Sequence, residues 1–335
     1  MSYTAHDLDT GRSAKLESSV CHGVGTQVKL GLPPGGPKDG QAPSPGALRV
    51  EKIRDHLYLL RGGGRTVELG GVTLPSAGTT AAFVTARGVV LVDTKLPGWG
   101  GPILEKVREI TDKPVTTIIN THTHMDHVGG NVEFPAAVEI VAHEETAKRM
   151  REMRPVTGGP AQPNVFRESG GRGLPTRTFT DRVTLGSGSE RVDLYHFGRA
   201  HTGGDAWVVF PALGVLHAGD AFAHKAVPPL DTNNGGSGVE YPRTLARALA
   251  ALTDVETVVT GHYPTTLTMA DLRTYGDFVG EFVQAVQAAK RAGRTIDDFV
   301  DGWGLPDRFR REGYVLATHL RPLRPDVEAI WDETE

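Results

Sequence analysis

Four side chains able to hold a metal ion fall close together in this sequence: His122, His124, Asp126 and His127, in the run Thr121-His122-Thr123-His124-Met125-Asp126-His127-Val128-Gly129-Gly130-Asn131. Residues two apart on an extended chain point the same way, so His122 and His124 can grip one ion. If the chain then turns into a helix, Asp126 and His127 swing toward a second ion nearby. Neutral imidazoles with a carboxylate suit Zn²⁺, and also Fe and Mn. Gly129-Gly130 permits a tight turn close to the metals. The bland alternative is a surface loop with several histidines. Thirteen histidines in 335 residues is only moderately high, and a cluster of ligands directly after a buried strand fits that alternative poorly.

Three later pieces complete the set. His201 lies in Gly198-Arg199-Ala200-His201-Thr202-Gly203-Gly204-Asp205, Asp220 ends Leu216-His217-Ala218-Gly219-Asp220, and His262 ends Val258-Val259-Thr260-Gly261-His262. Each sits just past an expected strand and beside glycine. Alone, each reads as an ordinary polar loop residue; with the first run, they supply the ligands that two ions require.

The elements that must carry these residues are short strands and a few helices. Apolar runs at 88–94 and 115–120 read as strands buried on both faces. Helical spacing of Ile103, Leu104, Val107 and Ile110 predicts a helix over 102–111. Further strands are expected at 81–85, 138–142, 179–185, 191–197, 206–210, 215–218 and 256–260, and helices at 144–153, 242–252 and 270–292. The 88–93 and 214–220 segments echo each other, each a buried strand closing on an acidic residue, Asp93 and Asp220. Residues 154–177 hold many Gly and Pro without periodicity and read as a long surface insertion. Residues 1–47 read as a Pro/Gly-rich N-terminal arm, and 48–335 as one catalytic domain with a C-terminal helical extension. That extension carries Trp303, Phe309, Tyr314, Leu316, Leu320, Ile330 and Trp331, too apolar for a free tail.

Composition narrows the class. Forty-two glycines and 22 prolines suit many short strands with loops between them. Thirty-six Lys and Arg against 40 Asp and Glu give a net charge of −4, which argues against a surface built to hold nucleic acid. One cysteine, Cys21, rules out an internal disulfide and a Cys-rich zinc module. No apolar stretch approaches the ~20 residues of a membrane helix, and the first 20 residues lack the apolar core of a secretory signal. A cytoplasmic enzyme acting on a small molecule, with no nucleic-acid or membrane partner, is the default reading. Homo-oligomers are compatible with it.

The order H-x-H-x-D-H, then His, then Gly-Asp, then Gly-His resembles the metallo-β-lactamase superfamily over residues 50–293. The resemblance implies an α/β fold, an αββα sandwich of two mixed β-sheets flanked by helices, with the site at the sheet edges. It implies one ion on His122, His124 and His201, a second on Asp126, His127 and His262, and Asp220 bridging them. Asp93 would steady the ligand loop from outside. β-Lactamases of the superfamily carry Cys or Ser where Asp220 stands. A bridging Asp resembles instead the glyoxalase II, lactonase and organophosphate-hydrolase branches. Flavo-diiron proteins have Glu where His124 stands, and nuclease branches add an RNA-binding module.

The expected function is therefore a metal-dependent hydrolase with two Zn²⁺ per chain, Mn or Fe serving as substitutes. A hydroxide shared by the two ions would cleave a small ester, lactone, thioester or lactam, with Asp126 and Asp220 as catalytic groups able to relay a proton. The alternatives are a mononuclear iron persulfide dioxygenase, which keeps a similar motif, β-lactamase as the main activity, and a non-catalytic metal-binding protein. Specificity is expected from the loops 62–78, 154–177 and 222–241, where His224 and Lys225 are candidates to bind an anionic group and Asp231 and Asn233 lie nearby. Tyr195 and His196 read as packing residues.

Overall fold

The computed structural model describes residues 3–6, 13–16, 43–316, 318 and 322–335. The chain forms two compact units, Met1–Lys38 and Asp39–Glu335. In the first, β1 (Tyr3–His6) and β2 (Ser13–Leu16) pair antiparallel, a hairpin inside the segment expected to be an irregular arm. The Pro/Gly-rich stretch at 31–37 lies outside the described residues.

The second unit holds the chemistry. Its first sheet contains β3 (Leu48–Arg54), β4 (Leu57–Gly62), β7 (Thr80–Val84), β8 (Val89–Val92), β9 (Val115–Ile119), β10 (Glu139–His143) and β11 (Arg177–Phe179), in the spatial order β11-β10-β9-β8-β7-β4-β3. The pairs from β8 to β11 are parallel and those from β3 to β8 antiparallel, so the sheet is mixed. A separate hairpin, β5 (Thr66–Leu69) with β6 (Val72–Pro75), turns at Gly70-Gly71. The second sheet runs in sequence order through β12 (Arg182–Leu185), β13 (Val192–Tyr195), β14 (Trp207–Phe210), β15 (Val215–His217), β16 (Thr257–Val259) and β17 (Leu267–Thr268), with only β15 and β16 parallel.

Strand alternation explains the layers, because successive side chains leave a strand on opposite faces. Val90 and Val92 of β8 and Val208 and Phe210 of β14 point into the space between the sheets, where Phe83 meets Phe210 edge-on at 5.2 Å. Their neighbours Val89 and Leu91 face α1 (Gly100–Ile110), which inserts Ile103 and Val107. Trp207 and Val209 face α5 (Tyr241–Ala251) and α6 (Met269–Arg291), which supply Leu245, Tyr275, Phe278 and Phe282. Strands buried on both faces thus read as continuous apolar runs. The result is the helix–sheet–sheet–helix sandwich. Among the described residues, no helix is long and apolar enough to cross a membrane.

α2 (Met125–Val128) and α3 (Glu144–Glu152) lie on the site side of the first sheet. α4 (Val165–Glu168) corrects the reading of 154–177 as surface. Its Phe166 is fully enclosed with Met125, Val128, Met150 and Met153. A second correction concerns 179–185: this stretch is split between the sheets, because Phe179 pairs with β10 while Arg182 begins the pairing with β13. α7 (Ile296–Gly302), α8 (Asp307–Arg311) and α9 (Arg324–Glu333) bury Phe299, Phe309 and Ile330 against α6 and its neighbours.

Candidate metal centre

Every candidate ligand follows a strand end at one edge of the sandwich. β9 ends at Ile119, and His122 and His124 leave it on a short extended segment; His124 stands immediately before α2, whose single turn carries Asp126 and His127. His201 lies on the β13–β14 connection, Asp220 follows β15, and His262 follows β16. The helical turn after His124 is the local step that sends Asp126 and His127 in a new direction.

The seven residues gather into two groups. Ligand atoms of His122, His124, His201 and Asp220 lie within 4.8 Å of one another, and so do those of Asp126, His127 and His262. Asp220 stands between the groups: its Oδ2 is 4.0 Å from His122 Nε2, 3.7 Å from His201 Nε2 and 3.3 Å from His262 Nε2, and its Oδ1 is 3.4 Å from His127 Nε2. Asp126 Oδ2 lies 3.2 Å from His262 Nε2 and 3.5 Å from His127 Nε2.

Each imidazole is oriented from behind. His127 Nδ1 donates to Asp93 Oδ2 at 2.7 Å, His124 Nε2 to Asp231 Oδ2 at 2.7 Å, His201 Nδ1 to the Pro229 carbonyl at 2.6 Å and His262 Nδ1 to the Pro75 carbonyl at 3.0 Å. His122 Nδ1 meets Thr121 Oγ1 at 3.0 Å, and that hydroxyl donates to Asp93 Oδ2 at 2.7 Å. A partner that only accepts fixes the proton on the outer nitrogen and leaves the inner lone pair bare. Asp93 also accepts from the Thr121 amide at 2.8 Å. It adopts φ +60°, a left-handed conformation a carboxylate residue tolerates at a small cost.

These residues fit divalent ions. His122 Nε2 and Asp220 Oδ1 are buried without a hydrogen-bond partner among the described residues, a costly arrangement unless a cation answers them. The remaining inner nitrogens crowd one another, His201 Nε2 at 3.1 Å from His124 Nδ1 and His127 Nε2 at 3.4 Å from His262 Nε2. The imidazole and carboxylate donors suit Zn²⁺, Mn or Fe.

The electrostatics divide the two groups. Burial, with His127 and His124 beside it, holds His122 well below the ordinary histidine range, and burial pushes His201 down to about 4. Burial also works against charge on His262, but Asp220 and Asp126 outweigh it and raise the ring to about 10. Burial opposes ionisation of Asp126, yet His127 and His262 bring it down to about 2. His122 and His201 are thus uncharged and open to a cation; around His262, protons and carboxylates pair in the metal-free protein.

Backbone closeness constrains the site as tightly as charge does. A Cβ on Gly261 would sit 1.7 Å from Asp220 Oδ1 and 3.2 Å from the Gly219 carbonyl. Gly261→Ala is therefore expected to displace Asp220. Metal content should fall below that of the parent protein, and kcat should drop by about tenfold to a hundredfold, the range for groups that position ligands. Unchanged metal content and kcat would show that the loop yields without moving the carboxylate.

A cavity of about 480 Å³ opens onto Asp126, His124, His201, Asp220 and His262. The β5–β6 hairpin contributes Val67 and Leu74, the insertion contributes residues 156–160, and the loop after Asp220 contributes Ala223, His224 and Pro229. Lys225 departs from its expected role as an anion contact. Its ammonium donates to Asp271 Oδ1 at 2.8 Å and to the Glu312 carbonyl at 3.2 Å. Tyr195 stacks on Phe197 and His196 on His143, as packing groups do. Two supporting residues escaped sequence reasoning. Asp231, legible only as a loop residue, is buried behind His124. Lys95 is fully buried and donates to the Gly78 carbonyl at 2.6 Å, holding the glycine whose missing Cβ leaves room for His127.

The model of the metallo-beta-lactamase superfamily matches residues 75–262. Over 148 residues the chain is 30% identical to 2,4-dinitroanisole O-demethylase subunit alpha of Nocardioides sp. (strain JS1661), a match spanning 42% of this chain and only 40% of that protein. It is 26% identical over 226 residues to metallo-beta-lactamase type 2 of Bacillus cereus, covering 65% of this chain and 77% of that one. A solved metallo-beta-lactamase from Pontibacter korlensis superposes with a TM-score of 0.55 at 21% identity, over 70% of this chain and 99% of the other, a likeness of fold.

Proposed function

The chain belongs to the metallo-β-lactamase superfamily, and on that premise we propose that it is a binuclear zinc-dependent hydrolase of a small ester, lactone, thioester or lactam. The observation that carries this reading is the position of Asp220, whose two oxygens face both ligand groups at 3.3–4.0 Å. A carboxylate so placed can serve two ions at once. His122, His124 and His201 would hold the first, and Asp126, His127 and His262 the second. Bound divalent ions supply Lewis acidity and bring the ionisation of water near neutral pH.

The chain's own groups then have distinct tasks. Asp231 and Asp93 fix the rings of His124 and His127, so the ligand atoms do not wander when substrate binds. Asp126 is the more open of the two carboxylates, with a quarter of its side chain exposed against 7% for Asp220. It lines the cavity and is the group placed to accept a proton from the substrate side.

The test is metal analysis combined with a hydrolysis screen on chromogenic lactam, lactone, thioester, phosphotriester and carboxylic ester substrates. The similarity to a 2,4-dinitroanisole O-demethylase subunit adds an aryl methyl ether to that screen. About two Zn per chain with turnover of at least one class supports the proposal. One Fe per chain with oxygen consumption on a persulfide would replace it with the dioxygenase reading.

A further inference from the structure

The described lining of the cavity contains apolar side chains, small polar groups and the metal-site residues, but no Lys or Arg. Val67 and Leu74 form one wall, Val156 and Pro160 a second, and Pro229 and Pro322 a third. Described basic side chains near these walls in sequence do not line the cavity: Arg65, two positions before Val67, is exposed, and three others are committed elsewhere. Lys225 pairs with Asp271, Arg61 gives Nε to Glu51 Oε2 at 2.8 Å and Nη1 to the Tyr263 carbonyl at 2.8 Å, and Arg154 pairs with Glu152 at 2.8 Å. A substrate carboxylate seated against these walls, away from the metal-site histidines, would give up hydration and meet no Lys or Arg among the described lining residues, an unfavourable exchange.

Away from the ligands, the described lining carries three polar side chains, the hydroxyls Ser76 and Thr157 and the imidazole of His224. Its Nδ1 is buried and has no hydrogen-bond partner among the described residues, whereas each of the five metal-site histidines has an outer partner. No protein group therefore fixes its tautomer, and Nε2 is free to donate to or accept from a bound molecule. Burial pushes this ring down to about 4, so at neutral pH it offers hydrogen bonding without charge.

We infer that the cavity selects an uncharged substrate, its apolar part against the β5–β6 hairpin and residues 156–160 and a neutral polar atom on His224. The inference rests on the hydrolase reading for what happens after binding, but the selection itself is a property of the walls.

Two matched pairs test it on the full chain. Hexyl acetate and its analogue with a terminal carboxylate are compared by kcat/KM with the zinc-loaded protein. N-Hexylacetamide and its terminal carboxylate analogue, which resist turnover, are compared by calorimetric binding to both metal-free and zinc-loaded protein. The uncharged member should be preferred by about tenfold or more in each pair, the scale of discrimination when a charged group is left unpaired against an apolar wall. Val156→Lys, which puts a cation on a half-buried wall position, should narrow that preference. Equal or tighter binding of the carboxylate amide, or no binding of the uncharged amide, overturns the inference. Failure of both esters to turn over, with the amide preference intact, counts against the hydrolase reading and leaves the selection supported.

Discussion

Asp220→Asn is expected to lose at least one metal ion and to lower kcat by about a hundredfold or more. The side chain keeps its size, so the surrounding packing is unchanged, but the negative charge between the two ligand groups disappears. Four imidazole nitrogens lie within 3.3–4.0 Å of the Asp220 oxygens. An amide presents one acceptor where the carboxylate presents two, and its NH₂ would be driven against a cation or an imidazole. Outer groups that only orient ligands typically cost 10–100-fold when changed, so a shared ligand should cost at least about that upper figure. Metal content by mass spectrometry and kcat on the best substrate of the screen are the measurements. Near-normal values for both would mean that Asp220 is no ligand, and the two-ion reading would lose the group that joins its halves.

Removing the metal is expected to abolish turnover and to lower Tm by roughly 5–10 °C, with zinc restoring both. An ion bound only by the folded chain contributes about 2.7 kcal/mol when free metal stands at about a hundred times Kd, and a domain of this size shifts by a few degrees per kcal/mol. The stabilisation should also depend on pH with a definite sign. In the metal-free protein His262 is raised from 6.5 to about 10 by Asp220 and Asp126. Its contribution is complete below pH 6.5 and is lost as pH rises through about 10. Asp126, lowered from 3.8 to about 2, contributes above pH 3.8 and fails only as pH falls toward 2. The metal-free chain therefore weakens on the alkaline side, where ions displace protons most easily. The gap in Tm between zinc-loaded and metal-free protein should widen from pH 6.5 to about pH 9. A gap independent of pH across that window would show that no site proton is exchanged for metal.

The ligand run was legible because its geometry is local. The spacing of His122 and His124 on an extended segment, and the turn that redirects Asp126 and His127, follow from strand and helix dimensions. The apolar runs of β8 and β9 announced strands buried on both faces for the same reason, and Ile103 and Val107 announced the helix covering one of those faces. His201, Asp220 and His262 were reachable through their place after strands and the superfamily resemblance.

What packing alone decided involves residues far apart in the chain. Asp231 reaches His124 across 107 positions, and no local pattern separates it from its neighbours in a Gly- and Asn-rich loop. Lys225 is withdrawn from the cavity by Asp271, 46 positions away on α6. Phe166 enters a core with Met125 and Met150 from a segment whose Gly and Pro content resembles a surface loop. The chain crosses from one sheet to the other between Phe179 and Arg182, although the two short strands alternate alike, because strand pairing is a choice of partner and not of local conformation. Backbone geometry within a few residues is set by the sequence at those residues. Which distant side chain orients a ligand, and which side chains face the cavity, is set by how the sheets and helices close on each other.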